Sequence, residues 1–275
     1  MKKRIIIILA IILTGFFIIY KWNTLKVWFL NLRHEPVPAA ISVTNFNFNT
    51  NPNQPTTNQN LSTNKLNQNS QIQPSPILPE NQDEPEEIPT SFNLAVPFTT
   101  QAPYFDWDMP YQEGCEEASL LTVHYYYQEK TFTEAVTKQE ILDLVAWQEK
   151  NWGGHFDLTT EETAQLAKDY WGYEDSEVIY NPTIDEIKSF ILNGYPVIVP
   201  AAGRLLDNPY FTPPGPIYHM LVIKGWTENN FITNDPGLYT KGEDFQYSYE
   251  NLMDSIHDWN DGDVYTGRKV MLILK

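Results

Sequence analysis

Cys115 is the only cysteine in the chain, and it stands in YQEGCEEASLL (111–121), where a glycine precedes it and a helical pattern follows. A thiol at the first turn of a helix is a candidate nucleophile, because the thiolate is the reactive form and a helix N-terminus or a neighbouring imidazolium favours it. Two residues about a hundred positions later could complete the chemistry. The segment HMLVIKGWTENNFITNDPG (219–237) reads as two strands around a turn. If that turn centres on Thr227, the antiparallel ladder sets His219, eight residues before it, opposite Asp235, eight residues after it. Directly opposed side chains are close enough for an imidazole–carboxylate hydrogen bond, whereas a one-residue slip sends them to opposite faces. Each residue also has a plainer reading: a packed thiol, a strand histidine bonded to a carbonyl, and an aspartate opening the NDPG turn. Jointly they favour catalysis.

The elements that must carry these groups divide into helices first and strands later. Helical spacing runs through CEEASLLTVHYYYQ (115–128), TKQEILDLVAWQEK (137–150), LTTEETAQLAKDYWG (158–172) and TIDEIKSFILNG (183–194). The pairs Thr137/Glu140, Thr159/Glu162 and Thr183/Glu186 have capping-box spacing, and Gly172 and Gly194 suit helix ends. The runs YPVIVPAA, HMLVIKGW, NFITND and RKVMLILK then read as strands. That order predicts an α+β domain with segregated layers.

The rest of the chain has a different character. Lys2, Lys3 and Arg4 precede an unbroken apolar run from Ile5 to Tyr20, just long enough, with Trp22, to span a bilayer. No small-residue cleavage site follows it closely, so an uncleaved anchor with the basic end inside is expected; a cleaved signal would give a secreted protein instead. Residues 1–34 are read as this membrane anchor. Residues 35–90, rich in Asn, Gln, Thr and Pro, are read as a disordered tether, and 91–275 as the folded domain. The domain's 11 basic and 29 acidic side chains disfavour nucleic acid. His124, His155 and His257 lack ligand-spaced partners, and DWNDGD (258–263) departs from a calcium loop, so no metal is expected. The loop NPYFTPPGP (208–216), leading into His219, offers Tyr210 and Phe211 as candidate substrate contacts at a cleft rim.

With VPFTTQAP, GCEEAS, YHMLVIKGW and NDPG in this order, the chain from about Leu94 to Lys275 resembles the papain-like cysteine peptidases related to the bacteriocin-processing double-glycine peptidases. The resemblance implies a papain-like α+β fold in which the helical part carrying the nucleophile packs on an antiparallel sheet. It makes Cys115 the nucleophile, His219 the general base and acid, and Asp235 the group that orients His219. It also implies a glutamine oxyanion donor ahead of the cysteine, for which Gln101 matches better than Gln112. Glu116 departs from the pattern, since a glycine stands after the nucleophile in papain and in the bacteriocin-processing enzymes; its charge opposes thiolate formation. A single apolar span and no nucleotide-binding motif give no support to leader cleavage coupled to transport. The expected function is a membrane-tethered, extracytoplasmic cysteine peptidase acting on peptide or protein substrates without metal or organic cofactor. A non-catalytic peptide- or glycan-binding domain and a thiol transacylase are the alternatives; oligomeric state is left open.

Overall fold

The structure is a computed structural model and describes residues 21–22, 24–46 and 88–275. The apolar run Ile5–Tyr20 and most of the polar tract, 47–87, lie outside the described residues. Among the described residues, no helix is long and apolar enough to cross a membrane.

The domain is built on a seven-stranded antiparallel sheet. Its strands are β1 (Phe92–Asn93), β2 (Glu177–Tyr180), β3 (Val197–Ala202), β4 (Tyr218–Trp226), β5 (Asn230–Asn234), β6 (Phe245–Ser248) and β7 (Val270–Ile273). They lie in the order β2-β7-β3-β4-β5-β6, with β1 paired to the end of β4. On one face pack α1 (Cys115–Tyr127), α2 (Glu134–Trp152) and α3 (Thr160–Trp171), whose Leu120, Leu121, Ile141 and Leu166 meet Met220 and Val222 of β4. On the other face Val199, Leu221 and Ile223 meet Ile187 and Ile191 of α4 (Ile184–Leu192) and Leu252 of α5 (Tyr249–Ser255). Strand alternation thus divides β4 between two cores.

The nucleophile helix is the central one. Eleven of the thirteen residues of α1 are buried, so it is covered on all sides rather than amphipathic. Truncating Leu120 or Leu121, both fully enclosed, to alanine costs about 2–5 kcal/mol. The capping boxes at Thr159/Glu162 and Thr183/Glu186 form as the spacing predicts. The one at Thr137/Glu140 does not. There α2 begins earlier, capped by Thr133, and Thr137 is turned inward to hydrogen-bond Thr99.

Residues 35–46, which composition puts in the tether, are laid along the domain instead. Ile41 forms a parallel bridge with Leu94, and Val43 enters the sheet core while Phe46 packs against it. Isolated apolar residues in a polar stretch suffice here because each finds a preformed slot, and the backbone pairs with β1 through Ile41 N–H to Asn93 O (2.9 Å) and Ala95 N–H to Ile41 O (2.8 Å).

The β4–β5 register also differs from the symmetric hairpin. Val222 faces Asn234 and Ile223 faces Thr233, two residues from the pairing expected of a turn at Thr227. Nearer the turn, Trp226 meets Phe231, three residues from it, which alone would send His219 and Asp235 to opposite faces. A bulge between Ile223 and Gly225 removes the odd residue, so the face is kept although the pairing is diagonal rather than direct.

Candidate active site

His219 is the second residue of β4, and Asp235 stands just past the end of β5. The imidazole Nε2 lies 2.7 Å from Asp235 Oδ1, with both side chains buried. Asp235 is itself fixed from two further directions. Gly237 N–H donates to Oδ1 (3.0 Å) and the Tyr247 hydroxyl donates to Oδ2 (2.6 Å). The turn role and the orienting role of Asp235 therefore coexist, since the same oxygen closes the NDPG turn and receives the imidazole. Tyr247, on β6, is held in turn by Asn208 Nδ2 at 2.6 Å. Burial first, and then the Asp235 carboxylate, push the Tyr247 hydroxyl well above its ordinary range, which keeps it a proton donor. Composition gave no pointer to Asn208 or Tyr247; the alternation of FQYS (245–248), one hairpin beyond NDPG, is the signal that could have found Tyr247.

Packing around the ring leaves little freedom. A methyl added at Gly237 would come within 2.9 Å of His219 Cε1, so that position needs glycine for close approach. Phe211 meets the imidazole edge-on, with centroids 5.5 Å apart. Tyr210, its neighbour in the loop, does not share this contact: its ring packs edge-on against Phe245, and Lys241 Nζ sits 5.0 Å from its centroid.

Cys115 opens α1 with Gly114 as its N-cap. Gln101 links the two halves of the site. Its backbone N–H donates to Pro236 O (3.0 Å), next to Asp235, and its Nε2 donates to the carbonyls of Tyr111 (3.0 Å) and Gln112 (3.1 Å), just ahead of Cys115. Gln112 contributes its carbonyl to this arrangement and is exposed. The Gln101 Oε1 atom is buried with no hydrogen-bond partner.

The thiol's hydrogen bond goes to Glu116 rather than to His219. Sγ donates to Glu116 Oε2 at 3.0 Å, while Oε1 of the same carboxylate accepts the backbone N–H of Leu158 (3.0 Å). Burial above all, followed by the Glu116 charge, pushes the Cys115 thiol well up. Burial likewise raises Glu116, with the neighbouring Glu117 carboxylate adding to it. Asp157, at the end of the 153–158 loop, is pushed up to about 6 by burial and by Glu113. The sequence shows the Glu116 charge but not its direction, because the side chain after a helix-opening residue can point to solvent or inward. Here it points inward and clamps α1 to the segment leading into α3.

Of the histidines outside this site, His124 is stacked on Trp171 (4.1 Å) and bonded to Tyr173 and Gln128; burial brings it down to about 4. It is a packed neutral ring. Asp258, from the DWNDGD segment, is fully buried and caps α3 through the N–H and hydroxyl of Thr160, both at 2.9 Å. Among the described residues no cluster of His, Cys, Asp and Glu could hold a metal.

The family model of the Peptidase_C39-like family matches residues 93–261, more than half of the chain. The chain belongs to that family. As a C39-like peptidase it is a papain-like cysteine peptidase, a hydrolase of peptide bonds. A crystal structure of a candidate C39-like peptidase from Bacillus anthracis is 18% identical, with a TM-score of 0.43, over 66% of this chain and 95% of that one. No curated protein matches the sequence.

Proposed function

We propose that this C39-like peptidase cleaves amide bonds through a Cys115–His219–Asp235 triad, on a domain tethered outside the cytoplasm by the Ile5–Tyr20 run. The observation that carries the triad is the 2.7 Å His219–Asp235 bond made through Nε2. Held this way, the ring protonates Nε2 and leaves Nδ1 free to take the thiol proton. Asp235, held by three donors, orients the ring and faces the imidazolium that forms. The thiolate then attacks the scissile carbonyl; His219 returns the proton to the leaving amine; water, deprotonated by His219, releases the acid from the acyl-enzyme. The backbone N–H of Cys115, one of the unpaired donors at a helix start, faces the developing oxyanion.

Two rearrangements precede attack. Sγ turns from Glu116 Oε2 toward the imidazole. Gln101 Nε2 gives up one of its two carbonyls so that an N–H becomes available to the oxyanion. Phe211, already on the imidazole, is the better placed of the two loop aromatics to meet substrate. The tether reading rests on the basic start and the apolar run of the sequence. Peptide or protein chains are the substrates.

The test is labelling of the full chain by a thiol-reactive peptide probe at neutral pH. Wild type is expected to label at Cys115, Cys115→Ser not at all, and His219→Ala far more slowly. Equal labelling of wild type and His219→Ala would remove the imidazole from the mechanism. A wild-type thiol that stays inert while peptide binds would make the fold a binding module.

A further inference from the structure

Residues 21–22 and 24–33 are helical and follow directly on the apolar run Ile5–Tyr20. This helix has two apolar faces. One is on the domain: Leu30 packs against the sheet core and Lys26 Nζ pairs with Asp207 at 2.5 Å, while His34, just past the helix, meets Phe245 edge-on at 5.4 Å. The other carries Trp22, Leu25, Trp28, Phe29 and Leu32. At 100° per residue these five fall within an arc of about 120°; Leu25, Trp28 and Leu32 are turned away from Lys26 and Leu30, while Trp22 and Phe29 stand at the near edge, where Phe29 also lines the cleft beside Phe245. They are 49–63% exposed, as large a run of uncovered apolar side chains as any on the described surface. A soluble surface does not leave such a stripe to water without a partner.

We infer that this face rests in the headgroup region of the bilayer that holds the proposed anchor, so that the helix lies flat on the membrane and docks the domain against it. The inference rests on the tether reading above. Three observations select lipid over a protein partner. In the sequence the apolar run ends at Tyr20, directly ahead of these helical residues, so a run that spans the bilayer sets them at the water–lipid boundary rather than at an arbitrary height. The domain contacts of Lys26, Leu30 and His34 keep the helix from continuing into the hydrocarbon. Two tryptophans and a phenylalanine dominate the face, with Lys21 and Arg33 at its ends, the composition of an interfacial helix. The consequence is a substrate class. Lys26 shares a surface cleft with Gly203, Asp207, Phe211 and Gly215, and Phe211 abuts His219. The His219 side of the site therefore sits by the membrane-facing helix, and suits chain segments that emerge at the membrane surface.

The experiment uses the full chain, in a Cys115→Ser background, with single cysteines carrying an environment-sensitive fluorophore at Ile12, Leu25, Leu32 and the exposed Ala135. Each is reconstituted in vesicles of phosphatidylcholine and phosphatidylglycerol containing lipids with a nitroxide either near the headgroup or near the chain end. A face lying about 5–10 Å into the interface predicts loss of emission at Leu25 and Leu32 with the shallow nitroxide more than with the deep one. Ile12 is lost with the deep nitroxide and Ala135 with neither. If Ile12 is quenched while Leu25 and Leu32 are not, the docking helix is wrong and the tether stands. If none of the three is quenched and the protein does not float with the vesicles, both fall. A blue shift at Leu25 and Leu32 that depends on protein concentration, without lipid quenching, would assign the face to a second copy and overturn the proposal.

Discussion

Replacing Glu116 by glutamine should make Cys115 more reactive, although Glu116 touches the nucleophile. The carboxylate Oε2 is 3.0 Å from Sγ. At an effective permittivity of 20, two unit charges at that separation repel by about 5 kcal/mol, and this opposes the thiolate whenever Glu116 is ionised. Glutamine keeps an oxygen for the Leu158 N–H, so the clamp on the 153–158 loop survives, and it offers an N–H to the sulfur. Each 1.4 kcal/mol relieved is a tenfold gain in thiolate. Intrinsic nucleophilicity falls with basicity, with a slope of about 0.4–0.5, which offsets roughly half of that gain on a logarithmic scale. A net rise of at least about tenfold in the alkylation rate is therefore expected at pH values above the raised folded value of Glu116, where this carboxylate is ionised. The assay is iodoacetamide alkylation of Cys115 against pH, with Glu116→Ala alongside to separate loss of charge from loss of the Leu158 bond. The sign follows from both groups being acids raised by burial: the wild-type profile lies at high pH, and the Glu116→Gln profile moves down. An unchanged profile, or one moved upward, would refute the claim that this carboxylate restrains the thiol.

Three further outcomes follow from the same geometry. Tyr247→Phe removes the 2.6 Å donor to Asp235 and strands Asn208 Nδ2, both in a closed interior; urea unfolding should show a loss of about 1–3 kcal/mol, with peptide turnover reduced as well. Gln101→Ala should lower kcat about 10²–10³-fold with little change in KM if the amide serves the oxyanion; a kcat that is unchanged per folded molecule would confine Gln101 to bridging the Pro236 turn and the 111–112 carbonyls. Glu117 is buried with Oε1 on Gln148 at 2.6 Å and Oε2 unpartnered, and burial raises it above its usual 4.5. Between that value and its folded value the native state holds more protons than the unfolded one, so stability falls as pH rises through the window. Glu117→Gln should therefore melt higher than wild type at about pH 8 and match it below about pH 4.5.

The place of Cys115 was legible because a glycine and a helical pattern surround a lone thiol, and the His219–Asp235 contact because the two residues belong to one hairpin. Their pairing survived an incorrect register. Bulges preserve or invert a face according to parity, and parity cannot be read from turn residues when the turn itself is displaced by one and a half residues. The short strands Glu177–Tyr180 and Phe245–Ser248 were not legible, since four residues at a sheet margin carry too little periodicity to stand out. Asn208 and Tyr247 were hidden for a related reason: their value lies in a hydrogen-bond relay whose links are 12 and 39 residues apart in sequence. The sequence also misled at 35–46, where a polar composition conceals two apolar contacts, of Val43 and Phe46, and a backbone bridge at Ile41.

What holds the stem, residues 24–46, against the domain decides how the proposed anchor is joined to it, and two candidates differ sharply in strength. The Lys26–Asp207 pair is short but its side chains are 33% and 68% exposed, and such pairs contribute only about 0–1 kcal/mol. Gln246 does more. Its Oε1 accepts Glu35 N–H (2.8 Å) and Asn230 Nδ2 (3.1 Å), and its Nε2 donates to Glu35 O (2.6 Å). Asn230 meanwhile donates to Arg33 O (2.9 Å). Gln246→Ala breaks three bonds and leaves the buried Asn230 amide with fewer acceptors, a cost of about 1–3 kcal/mol for each group stranded. Asp207→Asn should change little. Limited trypsin digestion reads the difference at the Arg33–His34 bond: slow in wild type and Asp207→Asn, fast in Gln246→Ala. Equal rates in all three would mean that the apolar contacts of Leu30 and Val43, rather than the glutamine bridge, fix the stem in place.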